Sequence, residues 1–235
     1  MEFTLLAAAA IGIAGVWLML RWEAARGIAA GCARDLWDVA LGAIGAGIVV
    51  GRVAAMVVAG VNPVLRPADL IIVRAGVATG WASIGALAVV TWTSRRPPWI
   101  VADGLAAASL AGLSGWHAGC VVRSACLGTT TDLPWGFAAS PGGLPRHPVE
   151  VYAAVLLLAA ALALALWKAR GRPPLGVPAG LALASAGAVR LVTEPLRPSL
   201  GGGPVWWYVA AMAAGTAVAA RRWRTIAARR SLPPL

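Results

Sequence analysis

Long apolar runs separated by short polar connectors fill the chain from end to end. A membrane-spanning helix needs about 20 mostly apolar residues. Seven stretches approach that length: Phe3–Leu20, Leu36–Ala59, Leu70–Thr93, Trp99–Trp116, Val149–Trp167, Leu175–Val192 and Val205–Ala220. The pattern predicts an all-α, polytopic membrane protein with about seven transmembrane helices in a single transmembrane domain over residues 1–235. Alanine-rich runs such as AAVLLLAAALALAL fit packed spanning helices, where small residues permit close approach. The first run, MEFTLLAAAAIGIAGVWLML, has no basic residues ahead of it and is expected to be a retained span, not a cleaved signal peptide.

Composition agrees with that pattern. Hydrophobic residues make up 60% of the chain and charged residues 12%, about half the charged share of a soluble domain. A net charge of +11 raises nucleic acid as a partner. The arginines, however, stand in small clusters between apolar runs, as membrane flanks do, so no nucleic-acid partner is expected. More than half of the twenty Lys and Arg residues follow spans one, three, five and seven: Arg21, Arg26, Arg34, Arg95, Arg96, Lys168, Arg170, Arg172, Arg221, Arg222, Arg224, Arg229 and Arg230. The opposite connectors hold Arg66, Arg123, Arg146 and Arg197. The excess of basic residues marks the cytoplasmic side, which puts the N-terminus outside and the C-terminus in the cytoplasm. Residues 117–148 then form an extracytoplasmic loop region and residues 221–235 a basic cytoplasmic tail. Loops as long as the first are often functional.

Charge within a spanning helix is costly and points to function by default. Arg52, Arg74, Asp103, Arg190 and Glu194 lie within or at the ends of the apolar runs. Arg190, Glu194 and Arg197 are spaced i, i+4, i+7 and would share a helix face, with Pro195 bending or ending that helix. Two guanidinium groups around one carboxylate suit an anionic headgroup, because arginine binds phosphate bidentately. The plainer alternative is a salt bridge that only locks helices together. For Arg52 the plain alternatives are a pair with Asp103 or snorkelling to the interface. His147, one of two histidines, opens the fifth run in RHPVEVY and could act as base, acid or phosphate donor. Equally, it could be an interfacial histidine with Pro148 starting the helix. Tyr152 lies five residues on, so it need not face His147. Cys120 and Cys126, on the outer side, could form a disulfide or remain two small buried thiols. Cys32, Cys120 and Cys126 lack the paired spacings of a zinc site.

Taken in order, GRVAAM, Asp103, CVVRSACLGTTTDLPWGF, RHPVEVY and VRLVTEPLR resemble the prolipoprotein diacylglyceryl transferase family. The resemblance runs from about Arg52 to Arg197. RHPVEVY is similar to the family's Arg-His-Pro-x-Gln-x-Tyr-Glu segment, and VRLVTEPLR to its Arg-Phe-x-x-Glu-x-x-Arg segment. The resemblance implies a multi-pass protein of the bacterial inner (cytoplasmic) membrane. Its members transfer a diacylglyceryl group from phosphatidylglycerol to the thiol of a lipobox cysteine, releasing glycerol phosphate. The implied partners are phosphatidylglycerol or another anionic phospholipid and a prolipoprotein signal peptide; no metal or organic cofactor is implied. His147, Arg190 and Glu194 are the implied catalytic residues; His117, the only other histidine and on the same side, is a further catalytic candidate that could take over base or phosphate duty. Arg52, Arg197, Tyr152, Arg146, Asp132 and Arg123 are the implied substrate-binding residues.

Four departures accompany the match. The third span, VATGWASIGAL, has Gly80 or Trp81 where the family usually carries a histidine. WHAGC has His117 where an arginine is expected, Glu150 replaces a usual glutamine, and Ala153 a usual glutamate. Two other readings therefore stand beside the transferase: a non-catalytic phospholipid-binding paralogue, and a thiol-modifying membrane protein built on Cys120 and Cys126.

Overall fold

The computed structural model describes residues 2–28, 33–71, 77–93, 98–123, 126–171, 173–198 and 205–230. Its elements are α1 (Glu2–Ala25), α2 (Ala33–Val58), α3 (Ala68–Ile71), α4 (Thr79–Thr93), α5 (Pro98–Ala118), α6 (Cys120–Arg123), α7 (Val149–Arg170), α8 (Val177–Thr193), a 3-10 turn (Glu194–Leu196) and α9 (Val205–Arg230). Among the described residues there is no strand, only isolated bridges from Arg146 to Thr130 and Phe137. Four helical stretches are long and apolar enough to cross a membrane: Ala7–Ala25, Leu36–Val58, Trp99–Val122 and Val149–Arg170. The protein is thus an all-α, multi-pass membrane protein. A helix lies on each of the other three predicted runs; α4 has 15 residues and α8 has 17, below and at the lower end of the roughly 17–25 residues of a crossing.

Three boundaries differ from the sequence expectation. The third run is not one helix from Leu70: residues 77–78 are not helical and α4 begins at Thr79, where the Ala78 amide donates to the Gly51 carbonyl of α2 (3.0 Å). Arg74 lies outside the described residues. The fourth helix continues through Ala118, so His117 belongs to its last turn and not to a loop. The helix persists there because its small residues stay packed on α1. A Cβ at Gly115 would stand 2.6 Å from the Ile11 carbonyl oxygen, so the two backbones are in near contact. Finally, α9 stays helical to Arg230, which turns most of the expected tail into a continuation of the last helix.

The centre of the bundle is α5, α7 and α8. Their buried faces are built from Val101, Ala107, Leu110, Ala153, Leu157, Ala161, Leu164, Ala182 and Val189. Leucine and alanine keep α7 helical without help, and Ser114 Oγ donates to the Ala154 carbonyl (2.7 Å) where α5 crosses it. Glycines bring α8 and α9 equally close: a Cβ at Gly187 would stand 2.7 Å from the Met212 amide.

One end of this trio is fixed by buried charge. Gly176, in the left-handed region at φ 89°, opens α8. Asp103 of α5 caps it, accepting from the amides of Gly176 (2.7 Å) and Ala179 (2.9 Å). A carboxylate there satisfies otherwise orphaned N–H groups and the positive end of the helix dipole. Asp103 is therefore the cap of α8 and not a counter-charge for Arg52. Lys168 of α7 donates to the Asp103 carbonyl (2.8 Å) and pairs with Glu23 of α1 at 2.8 Å. Arg222 of α9 stacks over Trp99 at 4.0 Å. Because Glu23 is fully buried, Lys168→Ala would strand a carboxylate in the core. The expected loss is roughly 3 kcal/mol or more, seen as a lower unfolding midpoint of the solubilised protein. The double variant Glu23→Gln, Lys168→Met should recover most of it, and a Lys168→Ala midpoint equal to wild type would show that the pair contributes nothing.

Candidate functional site

The opposite end of the trio gathers a second set of charges, and here the sequence-selected residues meet. Helix α5 ends with His117, α7 begins with Glu150, and α8 ends with Arg190 and passes through the 3-10 turn to Arg197. Pro195 ends the helix as expected, yet the turn keeps the three charges of VRLVTEPLR together. Arg190 Nη2 donates to Glu194 Oε2 at 2.8 Å, and Arg197 Nη1 lies 3.6 Å from the same oxygen. Arg197 Nη2 also pairs with Glu150 Oε1 at 2.8 Å, and the other oxygen of Glu150 meets His117 Nδ1 at 2.5 Å. Arg190 Nη2 reaches the Tyr208 hydroxyl of α9 at 3.2 Å, with its guanidinium 5.1 Å from that ring. The result is one chain of contacts, His117–Glu150–Arg197–Glu194–Arg190–Tyr208, across four helices.

Glu150 is the hub of this chain. It is 6% exposed, and Glu194 and His117 are each 8% exposed. Sequence reasoning selected its neighbours and noted Glu150 only as a departure from the family pattern. The signal that could have found it is the one applied elsewhere: an acidic residue at the start of an apolar run is costly unless paired. Tyr208 and Trp135 were missed too, because neither has a charge to mark it.

Arg190 is not used up by its ion pair. Its Nη1 is buried and makes no hydrogen bond among the described residues. A guanidinium has five donors and no acceptor, so this N–H is left to meet an anion. His147 has a similar atom, its buried Nδ1. Spacing left open whether Tyr152 faces His147; the two rings do meet, edge to face at 6.1 Å between centroids. The Tyr152 hydroxyl accepts from Trp135 Nε1 at 2.9 Å, which places the TDLPWGF segment beside His147.

The 126–148 segment is held by its own backbone. Gly128 N donates to the His147 carbonyl (2.7 Å), His147 N to Thr129 O (3.0 Å), and Thr129 N to Leu196 O (2.8 Å) beside Arg197. At Gly128 a Cβ would overlap the Leu196 carbonyl, so only glycine allows this approach. Arg146 Nη1 donates to the Gly128 carbonyl at 3.3 Å, so its charge supports the segment. Cys120 and Cys126 are joined in a disulfide. The chain therefore has a staple here in place of two separate buried thiols.

The remaining selected residues stand apart. Arg52 is buried in α2 and donates to the Asp69 carbonyl at 2.6 Å, tying α2 to α3. Asp132 is exposed in the 126–148 segment, and the side chain of Arg123 lies outside the described residues. At Gly80 a Cβ would stand 3.0 Å from Cε2 of Trp207, while Trp81 is 55% exposed. An indole from α9 fills the space that a side chain on α4 would need. Among the described residues no cluster of His, Cys, Asp and Glu has the make-up of a metal site.

The profile of the prolipoprotein diacylglyceryl transferase family matches residues 3–223. The phosphatidylglycerol–prolipoprotein diacylglyceryl transferase of Solidesulfovibrio magneticus is 31% identical over 203 residues, covering 81% of this chain and 76% of the relative. Proteins of the same name from Glaesserella parasuis and Shewanella oneidensis are 34% and 30% identical over 118 and 115 residues. Those two matches cover 48% of this chain, which spans 44% and 43% of the relatives' own lengths. The match over almost the whole sequence places this chain in the prolipoprotein diacylglyceryl transferase family.

Proposed function

We propose that this chain transfers a diacylglyceryl group from phosphatidylglycerol to the cysteine thiol of a prolipoprotein at the outer face of a bacterial cytoplasmic membrane. Family membership supplies the reaction class. The observation that carries the reading to particular residues is the buried Arg190 Nη1, a free donor within the Arg190–Glu194–Arg197 group. Transfer requires a carbon–oxygen bond to break as a phosphate leaves with the electron pair. Donors fixed in advance around that phosphate stabilise its growing charge more than water does. In this reading Glu194 holds Arg190 in place, Arg197 is the second phosphate donor, and His147 and Tyr152 line the headgroup site. Arg52, Arg146, Asp132 and Arg123 belong to the surrounding substrate path. The reading includes a seven-span arrangement with the N-terminus outside and the C-terminus in the cytoplasm; the run of apolar stretches supports the span number and the placement of the basic residues supports the orientation.

A second reading, a phospholipid-binding paralogue without transfer activity, draws on one observation. Trp207 stands against Gly80, where a third-span histidine would need room. Both readings require the same anion site and differ in turnover.

Two measurements test these assignments. With phosphatidylglycerol vesicles and a cysteine-bearing lipobox peptide, the wild-type chain should release glycerol phosphate and yield the diacylglyceryl thioether. Arg190→Ala and Arg197→Ala should each lower that rate by about 100-fold or more and reduce bound anionic lipid in native mass spectra. Lipid retained by the wild type without turnover favours the paralogue, and lipid unchanged in both variants removes the headgroup site. For topology, Ser140→Cys should react with a membrane-impermeant maleimide on intact spheroplasts, and Arg224→Cys only after permeabilisation; the reverse pattern would invert the orientation.

A further inference from the structure

Two departures from the family pattern, His117 and Glu150, lie far apart in sequence but touch in the fold. His117 lies in the last turn of α5 and Glu150 in the first turn of α7, the helix end whose dipole favours a carboxylate. The Glu150 carboxylate holds His117 Nδ1 at 2.5 Å. A carboxylate on Nδ1 keeps the proton on that nitrogen and leaves the lone pair on Nε2, the arrangement that makes an imidazole an oriented base.

The pair is built into the backbone on both sides. Cys120, three residues beyond His117, is fully buried and disulfide-bonded to Cys126. The Cys126 carbonyl accepts the Glu150 amide at 3.3 Å. A closed circuit thus runs from His117 through the disulfide to Glu150 and back through the carboxylate. One turn away, Ser114 Oγ bonds the Ala154 carbonyl at 2.7 Å and fixes α5 against α7. Geometry held from several directions in this way is what a proton-transfer pair needs. His147 differs, because no carboxylate meets its ring nitrogens among the described residues and its Nδ1 has no partner. The charged groups facing the pair are Arg197 on Glu150, and Arg190 and Glu194 beyond it.

We infer that His117 is the general base of this chain and that Glu150 is the positioning residue that holds its tautomer, an assignment that rests on the transferase reading above. The acceptor thiol gives its proton to His117 Nε2. Its sulfur forms a bond to the glyceryl carbon of phosphatidylglycerol, and the bond from that carbon to the phosphate oxygen breaks. Glycerol phosphate leaves with the electron pair, held by Arg190 and Arg197, and takes up the proton from His117.

The test uses the full chain in phosphatidylglycerol nanodiscs with a single-cysteine lipobox peptide. Glu150→Gln should lower kcat by about tenfold or more and leave KM for the lipid within about twofold. His117→Gly should lower kcat by about 100-fold and regain part of it with added imidazole. With only two histidines in the chain, His147→Asn leaves one ring to observe by nitrogen NMR. That ring should show a protonated Nδ1 and a bare Nε2 while Glu150 is present. A dominant Nε2–H form, or variants that match the wild-type kcat, would overturn the dyad and leave the transferase reading intact. An effect on KM alone, or no rescue by imidazole, would reduce Glu150 and His117 to structural roles. A wild-type chain that releases no glycerol phosphate would overturn the transferase reading, and with it the step given to the dyad.

Discussion

A carboxylate buried in an apolar helical bundle needs a partner, and meeting that need organises this protein. Glu23, Asp103, Glu150 and Glu194 are all buried. Glu23 is met by Lys168, Asp103 by the opening amides of α8, Glu150 by His117 and Arg197, and Glu194 by Arg190. Two of these groups sit at one end of the α5–α7–α8 trio and two at the other. A slide of α7 along α5 by one turn would strand charge at both ends at once. An unpaired buried charge costs several kcal/mol, so the ion pairs fix the axial register of helices whose Ala and Leu faces would tolerate several.

The two ends use the same physics differently. Around Asp103 every contact closes on the protein itself: a helix cap, a lysine and a backbone carbonyl. Around Glu150 and Glu194 the hydrogen-bond donors exceed what the carboxylates take up, because Arg190 Nη1 has no partner among the described residues. The first arrangement is a lock, whereas the second retains capacity for an anion. The 126–148 segment sharpens the contrast. It is stapled by the Cys120–Cys126 disulfide and hydrogen-bonded to Leu196, so a braced loop presents His147 and Trp135 beside Tyr152 of α7.

The departures from the family pattern become intelligible once they are neighbours. His117 and Glu150 face each other across the α5–α7 seam. Gly80 is matched by Trp207, whose indole also stacks on Trp206 at 4.0 Å between centroids. In each case the departure on one helix stands against a side chain from another.

The sequence by itself determined the membrane character, the positions of the helices and the selection of Arg190, Glu194, Arg197, His147 and Tyr152. Those conclusions follow from local physics: apolar length, the cost of charge in an apolar run, and a resemblance carried by short contiguous motifs. It misjudged the break between α3 and α4 and the extent of α5 and α9; at the end of α5, close packing on α1 overrides the local pattern. Tertiary structure alone decided who partners whom. It gave Asp103 to α8 instead of Arg52, joined Cys120 to Cys126, turned Tyr152 onto His147 and made Glu150 the hub of the site. These are contacts between helices far apart in sequence, and periodicity along one helix says nothing about the face another helix brings to it.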